Sequence, residues 1–171
     1  ISFKAESGRM VGIMGASGAG KSTLLSVLNG SNRPFDGEVL INGVNIYREK
    51  EKIKGLIGFV SQDDLLIEEL TVFENLYYNA KLCFGNINDD EVIEKVDNVL
   101  KNLGLYEIRN MKVGSPLNKK ISGGQRKRLN ISLELIREPS ILFLDEPTSG
   151  LSSRDSENIL DLLKDMTRKG K

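Results

Sequence analysis

Gly15-Ala16-Ser17-Gly18-Ala19-Gly20-Lys21-Ser22 is the stretch whose reading decides the fold. It matches G-x-x-x-x-G-K-[ST] and stands between an apolar run, Met10-Val11-Gly12-Ile13-Met14, and a segment in which Leu24, Leu25 and Leu28 recur at helical spacing up to Gly30. In the order strand, glycine loop, helix, the backbone can curl so that successive N–H groups point at phosphate oxygens. The positive end of the helix dipole lies behind them. On this reading Lys21 reaches the β and γ phosphates of a nucleotide and the Ser22 hydroxyl binds Mg²⁺.

Outward from the loop, residues 1–5 alternate as a strand does and Ser7-Gly8 makes a turn, so strand, turn and buried strand are expected ahead of it. Downstream, residues 38–41 and 44–47 flank Asn42-Gly43, the dipeptide that accepts the positive φ angles of a type I′ turn, which predicts a hairpin. Residues 56–60 form another apolar strand. The pattern then turns helical. Thr71 caps a run through Phe73, Leu76, Tyr77, Ala80 and Leu82; Asn88 opens Val92, Val96, Val99, Leu100 and Leu103; Ser122 precedes Leu129, Leu133 and Ile136. After Pro139 come a fully apolar strand, residues 141–144, and a last helix over residues 153–168. The expected fold is α/β, with a mainly parallel sheet, an antiparallel β portion near the N-terminus, and a helical subdomain over about residues 65–137. The subdomain is inserted in a core made of residues 1–64 and 138–171, the whole forming one partial domain over residues 1–171. Cys83 is expected as a small core residue, and Tyr77 and Tyr78 as packing or partner-facing residues.

Composition removes several classes of function. Lys+Arg and Asp+Glu number 24 each, so the strongly basic surface of a nucleic-acid binder is absent, and no nucleic-acid partner is expected. Apolar runs are a few residues long against the ~18 needed to span a bilayer. Without histidine there is neither a His-ligated zinc site nor a Ser/His or Cys/His triad. One cysteine cannot form an internal disulfide, and a reducing setting fits.

Two further sites carry chemistry. Asp145-Glu146 follow the apolar strand directly, which places both carboxylates at the carboxyl edge of a parallel sheet, where α/β folds bind ligands. Asp145 suits the magnesium shell and Glu146 suits orienting or deprotonating the attacking water. Ser122-Gly123-Gly124-Gln125 at a helix start offer free N–H groups, a hydroxyl and the dipole, a second anion site for a nucleotide held elsewhere. The same residues also read as an ordinary helix cap. The triplet Arg126-Lys127-Arg128 behind them reads as a solvated first turn.

With these motifs in place the sequence resembles the nucleotide-binding domain of ABC (ATP-binding cassette) transporters over essentially its whole length. Gly15 to Ser22 is similar to the Walker A loop of that P-loop NTPase fold, Gln62 to the Q-loop glutamine, Ser122 to Gln125 to the signature motif, residues 141–145 to Walker B, Glu146 to the catalytic glutamate, and Pro147-Thr148-Ser149-Gly150-Leu151 to the approach to the D-loop. Within the family, the runs Phe59-Val60-Ser61-Gln62-Asp63-Asp64, Ser122-Gly123-Gly124-Gln125-Arg126-Lys127-Arg128 and Glu146-Pro147-Thr148-Ser149-Gly150-Leu151 most resemble the G subfamily of half-transporters and its bacterial relatives.

The resemblance implies ATP and Mg²⁺ as cofactors. Gly15, Ala16, Ser17, Gly18, Ala19, Gly20, Lys21, Ser22 and Thr23 would bind the nucleotide, together with Ser122, Gly123, Gly124 and Gln125 from the partner side. Ser22, Gln62 and Asp145 would bind the metal, and Glu146, Lys21 and Gln62 would serve hydrolysis. It also implies a head-to-tail pair of such domains, identical or different, at the cytoplasmic face of a membrane. ATP would close the pair, and closure would be passed through Gln62 and the helical insertion to a transmembrane domain in the same or another polypeptide. Three departures stand out. Ser152 occupies the place of the D-loop aspartate, and neither the switch histidine nor the aromatic that stacks on adenine is present, as expected of a chain truncated at both ends. Weak binding and slow hydrolysis by this chain alone are therefore expected. An ATP-gated clamp in translation or DNA repair is the alternative, disfavoured by neutral charge and the lack of a tandem cassette. A P-loop GTPase or kinase lacks its Asn-Lys-x-Asp and D-x-x-G motifs here.

Overall fold

The computed structural model describes residues 1–85, 87–115, 118 and 120–168; the C-terminal Gly170-Lys171 lies outside the described residues. Helix α1 (Lys21–Leu28) starts at the glycine loop. Strands β1 (Leu40–Ile41) and β2 (Val44–Asn45) form the antiparallel hairpin, with Asn42 at φ 51° and Gly43 at φ 79°, as a type I′ turn requires. Strand β3 (Ile57–Val60) leads into helices α2 (Val72–Phe84), α3 (Asp89–Asn102) and α4 (Gly123–Leu135), and these into β4 (Ile141–Leu144) and α5 (Ser153–Arg168).

Each helix of the insertion begins where a side chain can replace the missing turn. Thr71 and Glu74 close a reciprocal capping box on α2, Asn88 Oδ1 accepts from the Glu91 N–H on α3, and Ser122 and Gln125 close a second box on α4. The buried stripe of α2 runs Val72, Leu76, Ala80, each 0% exposed, and packs against Val92, Val96 and Leu100 of α3 and Leu129 and Leu133 of α4. A second, smaller cluster joins Val60 of β3, Ile131 of α4, and Ile159 and Leu163 of α5. Helix α4 thus serves both cores.

Strands β3 and β4 pair in parallel, Ile57 opposite Ile141 through Val60 opposite Leu144. Gly58 is needed here, since a Cβ on it would come within 2.9 Å of Leu142 Cδ1 and 3.0 Å of Pro139 Cγ. The pairing continues one residue past the strands, where the Asp145 N–H donates to the Val60 carbonyl at 2.9 Å.

Three expectations are corrected. Residues 1–5 and 10–14 are not strands: they join no ladder and are almost wholly solvent-exposed. An alternating or apolar run becomes a strand only where a neighbouring edge takes up its N–H and C=O groups. Cys83 is exposed, because the stripe of α2 continues from Ala80 onto Phe84 and leaves Leu82, at 88% exposure, and Cys83 on the outer face. The basic triplet does not form a solvated turn: Arg126 and Lys127 are 8% and 9% exposed. Tyr77 stacks on Phe73 at a ring separation of 5.7 Å, while Tyr78 is half exposed.

Truncating the stripe separates these environments. Leu76→Ala should cost about 2–5 kcal/mol, whereas Leu82→Ala on the exposed face should stay within about 0.5 kcal/mol; urea denaturation followed by circular dichroism measures both.

Candidate nucleotide site

In the glycine loop, Gly18 and Gly20 hold φ at 77° and 87°, in the left-handed region that residues with a Cβ enter at a cost. The Ala19 N–H closes a turn on the Ala16 carbonyl at 3.2 Å, and Lys21, at the first position of α1, folds back so that Nζ donates to the carbonyls of Gly15 and Ala16, each at 2.9 Å. The ammonium therefore sits over its own loop. Gly15, Ala16, Ser17, Ala19, Ser22 and Thr23 are exposed, so the loop and the first turn of α1 face solvent.

The acid site is a consequence of sheet register. With Val60 opposite Leu144, the next residues of both strands, Ser61-Gln62 and Asp145-Glu146, leave the same carboxyl edge together. Asp145 is 9% exposed and Glu146 is open to solvent. Glu146 stands at φ 46°, one of three described non-glycine residues with positive φ, and its carbonyl accepts from the Ser149 N–H at 3.1 Å in a tight turn. Strain of this kind clusters at working sites.

The start of α4 can be counted donor by donor. Ser122 Oγ accepts from the Gln125 N–H at 3.1 Å, and Gln125 Oε1 accepts from the Ser122 N–H at 2.8 Å. Of the four N–H groups that a helix start leaves unpaired, the box takes two and leaves those of Gly123 and Gly124. The cap and anion-site readings are therefore compatible: the box builds the helix end, and two donors on residues without side chains remain, with the Ser122 hydroxyl proton and the dipole.

Sequence reasoning missed two features. Lys127 lies near Asp63, Asp64, Asp145 and Glu146; burial pushes its ammonium below the usual lysine range while the four carboxylates pull it back up. The signal was the helical period itself, since position 127 shares a face with Asn130 and Ile131. Asp155, the other feature, lies one turn beyond Ser152. Ser152 Oγ donates to Asp155 Oδ2 at 2.8 Å and accepts from the Asp155 N–H at 3.1 Å. A Cβ on Gly124 would fall 2.7 Å from Asp155 Cγ. A carboxylate thus returns to the neighbourhood of Ser152 from the next turn, against the second glycine of the helix start.

The oxygens expected to face a metal are the Ser22 hydroxyl, the Gln62 amide and the Asp145 carboxylate; no group of three or more His, Cys, Asp or Glu able to hold a metal occurs among the described residues. A few hard oxygens fit Mg²⁺, which keeps waters and takes most of its remaining ligands from phosphates. No helix among the described residues is long and apolar enough to cross a membrane.

The family model described as ABC transporter matches residues 1–149. An "ABC transporter G family member 25" of Oryza sativa subsp. japonica is 44% identical over 168 residues, 96% of this chain and 16% of the relative. The structure of cbiO1 from Clostridium perfringens, described as part of the ABC transporter complex cbiONQ, superposes with a TM-score of 0.85 at 32% identity, covering 99% of this chain and 66% of the other. A dimeric post-hydrolysis structure of the ATP-binding cassette MJ0796 with ADP and Pi gives 0.80 at 34% identity, covering 99% and 74%. The chain spans less than a third of the length of the curated relatives it matches.

The close approach of Asp155 to Gly124 makes a paired test. Gly124→Ala should destabilise by about 1–3 kcal/mol through overpacking, and Asp155→Ala in the same chain should recover most of that loss; thermal melts of the two single variants and the double variant measure it.

Proposed function

The chain belongs to the ABC transporter family, and on that premise we propose that it is the ATP-binding and ATP-hydrolysing part of a membrane transporter working at the cytoplasmic face. The rice relative is described as an ABC transporter and cbiO1 as part of a transporter complex, and the clamp reading for translation or DNA repair is dropped. The observation that carries hydrolysis is the parallel register of β3 and β4, which delivers Gln62, Asp145 and Glu146 to one sheet edge.

In this reading the N–H groups of residues 15–20 and the first turn of α1, Thr23 included, cradle the phosphates. Lys21 exchanges its bonds to the Gly15 and Ala16 carbonyls for phosphate oxygens of the nucleotide. Ser22, Asp145 and Gln62 would hold Mg²⁺, which would supply positive charge to offset that of the phosphates. Glu146 orients a water in line with the γ phosphate and takes its proton. The donors left on Gly123 and Gly124, with Ser122 and Gln125, serve the nucleotide of a second cassette. This head-to-tail pairing is supported by the dimeric state of the MJ0796 structure and by the two unlike helix starts on one chain that are suited to anions. The transmembrane partner lies in the same polypeptide or another.

Two variants test the proposal. Lys21→Ala should lower ATP hydrolysis at least tenfold, measured by phosphate release, and unchanged turnover would refute the Walker A assignment. Glu146→Gln should accumulate a Mg-ATP-dependent dimer in sedimentation velocity, because its side chain cannot accept the proton.

A further inference from the structure

Helix α4 carries a polar row that runs along β3 and the segment following it. The Phe59 N–H donates to Glu134 Oε2 at 3.3 Å, and the Leu65 N–H donates to Asn130 Oδ1 at 3.3 Å. Lys127 Nζ donates to the Gln62 carbonyl at 3.4 Å. Arg126 grips Asp64 with two donors, Nε to Oδ2 at 2.5 Å and Nη2 to Oδ1 at 3.1 Å, and sends Nη1 to the Gly114 carbonyl at 2.5 Å. Contacts thus lie on both sides of Gln62 and on its own carbonyl, while its side chain is left exposed. The main chain is held and the amide is free to reach a ligand.

We propose that Arg126 and Lys127 are positioning residues: they clasp the segment carrying Gln62 to the helix whose first residues form the signature, so that the two nucleotide-contacting elements of this domain move as one unit. The proposal rests on the function argued above. An ion pair between a buried guanidinium and a half-buried carboxylate, such as Arg126 with Asp64, adds little net stability compared with apolar packing, and its forked geometry fixes the position of the segment that carries Asp64. Movement of Gln62 towards a metal or phosphate then drags the Ser122 end of α4, and engagement of that end by a second cassette's nucleotide sets Gln62. The charged groups around the clasp are Asp63 and Asp64 after β3, Asp145 and Glu146 after β4, and Arg126 and Lys127 on α4.

Hydrogen–deuterium exchange on the full chain tests it. Lys127→Met keeps the apolar stem and removes the ammonium; Arg126→Lys keeps the charge and removes the fork. Amides of residues 61–65 should exchange at least tenfold faster in either variant, with those of α3 and of the glycine loop unchanged. Unchanged exchange at residues 61–65, or a uniform rise across the whole domain, overturns the proposal. A second readout uses the Glu146→Gln background, where Lys127→Met should raise about tenfold the Mg-ATP needed for pairing, yet add nothing once Gln62→Ala is present. Additive losses overturn the clasp. A Glu146→Gln parent that never pairs counts against the head-to-tail reading alone, and the exchange result then decides the clasp by itself.

Discussion

Helix α4 is buried on nearly every side, and the rest of the structure follows from how its groups are satisfied. Leu129, Leu133 and the capping residue Ile136 complete the larger core with α2 and α3, while Ile131 enters the smaller one with β3 and α5. A helix enclosed in this way has no solvent face on which to place its polar residues. Arg126, Lys127 and Asn130 must find protein partners, because an unpaired buried polar group costs about 1–3 kcal/mol and a charge more. They find them in the segment after β3 and, for Arg126, at the Gly114 carbonyl as well. The helix start that carries two free amide donors and the loop that carries Gln62 are therefore joined by the chemistry of burial.

The acid pair depends on a simpler constraint. Parallel strands of equal length in direct register end together, so whatever follows them shares an edge. Gly58 permits the close fit of Leu142 and Pro139 against β3 in this register. Asp145, anchored through its N–H to Val60, stays within the sheet, and the positive φ of Glu146 turns the chain sharply as it leaves.

Helix ends were legible because their chemistry is local. Thr71, Asn88 and Ser122 bond to amides three residues away, and Asn42-Gly43 satisfies its own turn, so each element could be placed from a window of a few residues. The corrections fall where the deciding partner is distant in sequence. Residues 10–14 have a strand's composition, but pairing is a property of two edges. Cys83 fits an apolar helix, but which face is covered depends on α3 and α4.

What the amino-acid order determined by itself was the helices with their caps, the Asn42-Gly43 hairpin, the strands over residues 57–60 and 141–144, and the glycine loop ahead of α1, because these rest on periodicity, backbone freedom and capping within a few residues. What only the tertiary structure decided was the fate of Arg126 and Lys127. A run of three basic residues is solvated in isolation. Here the helix bearing it lies between two apolar clusters, and the cost of stripping water from two cations is met by a carboxylate and carbonyls from segments more than ten residues away in sequence.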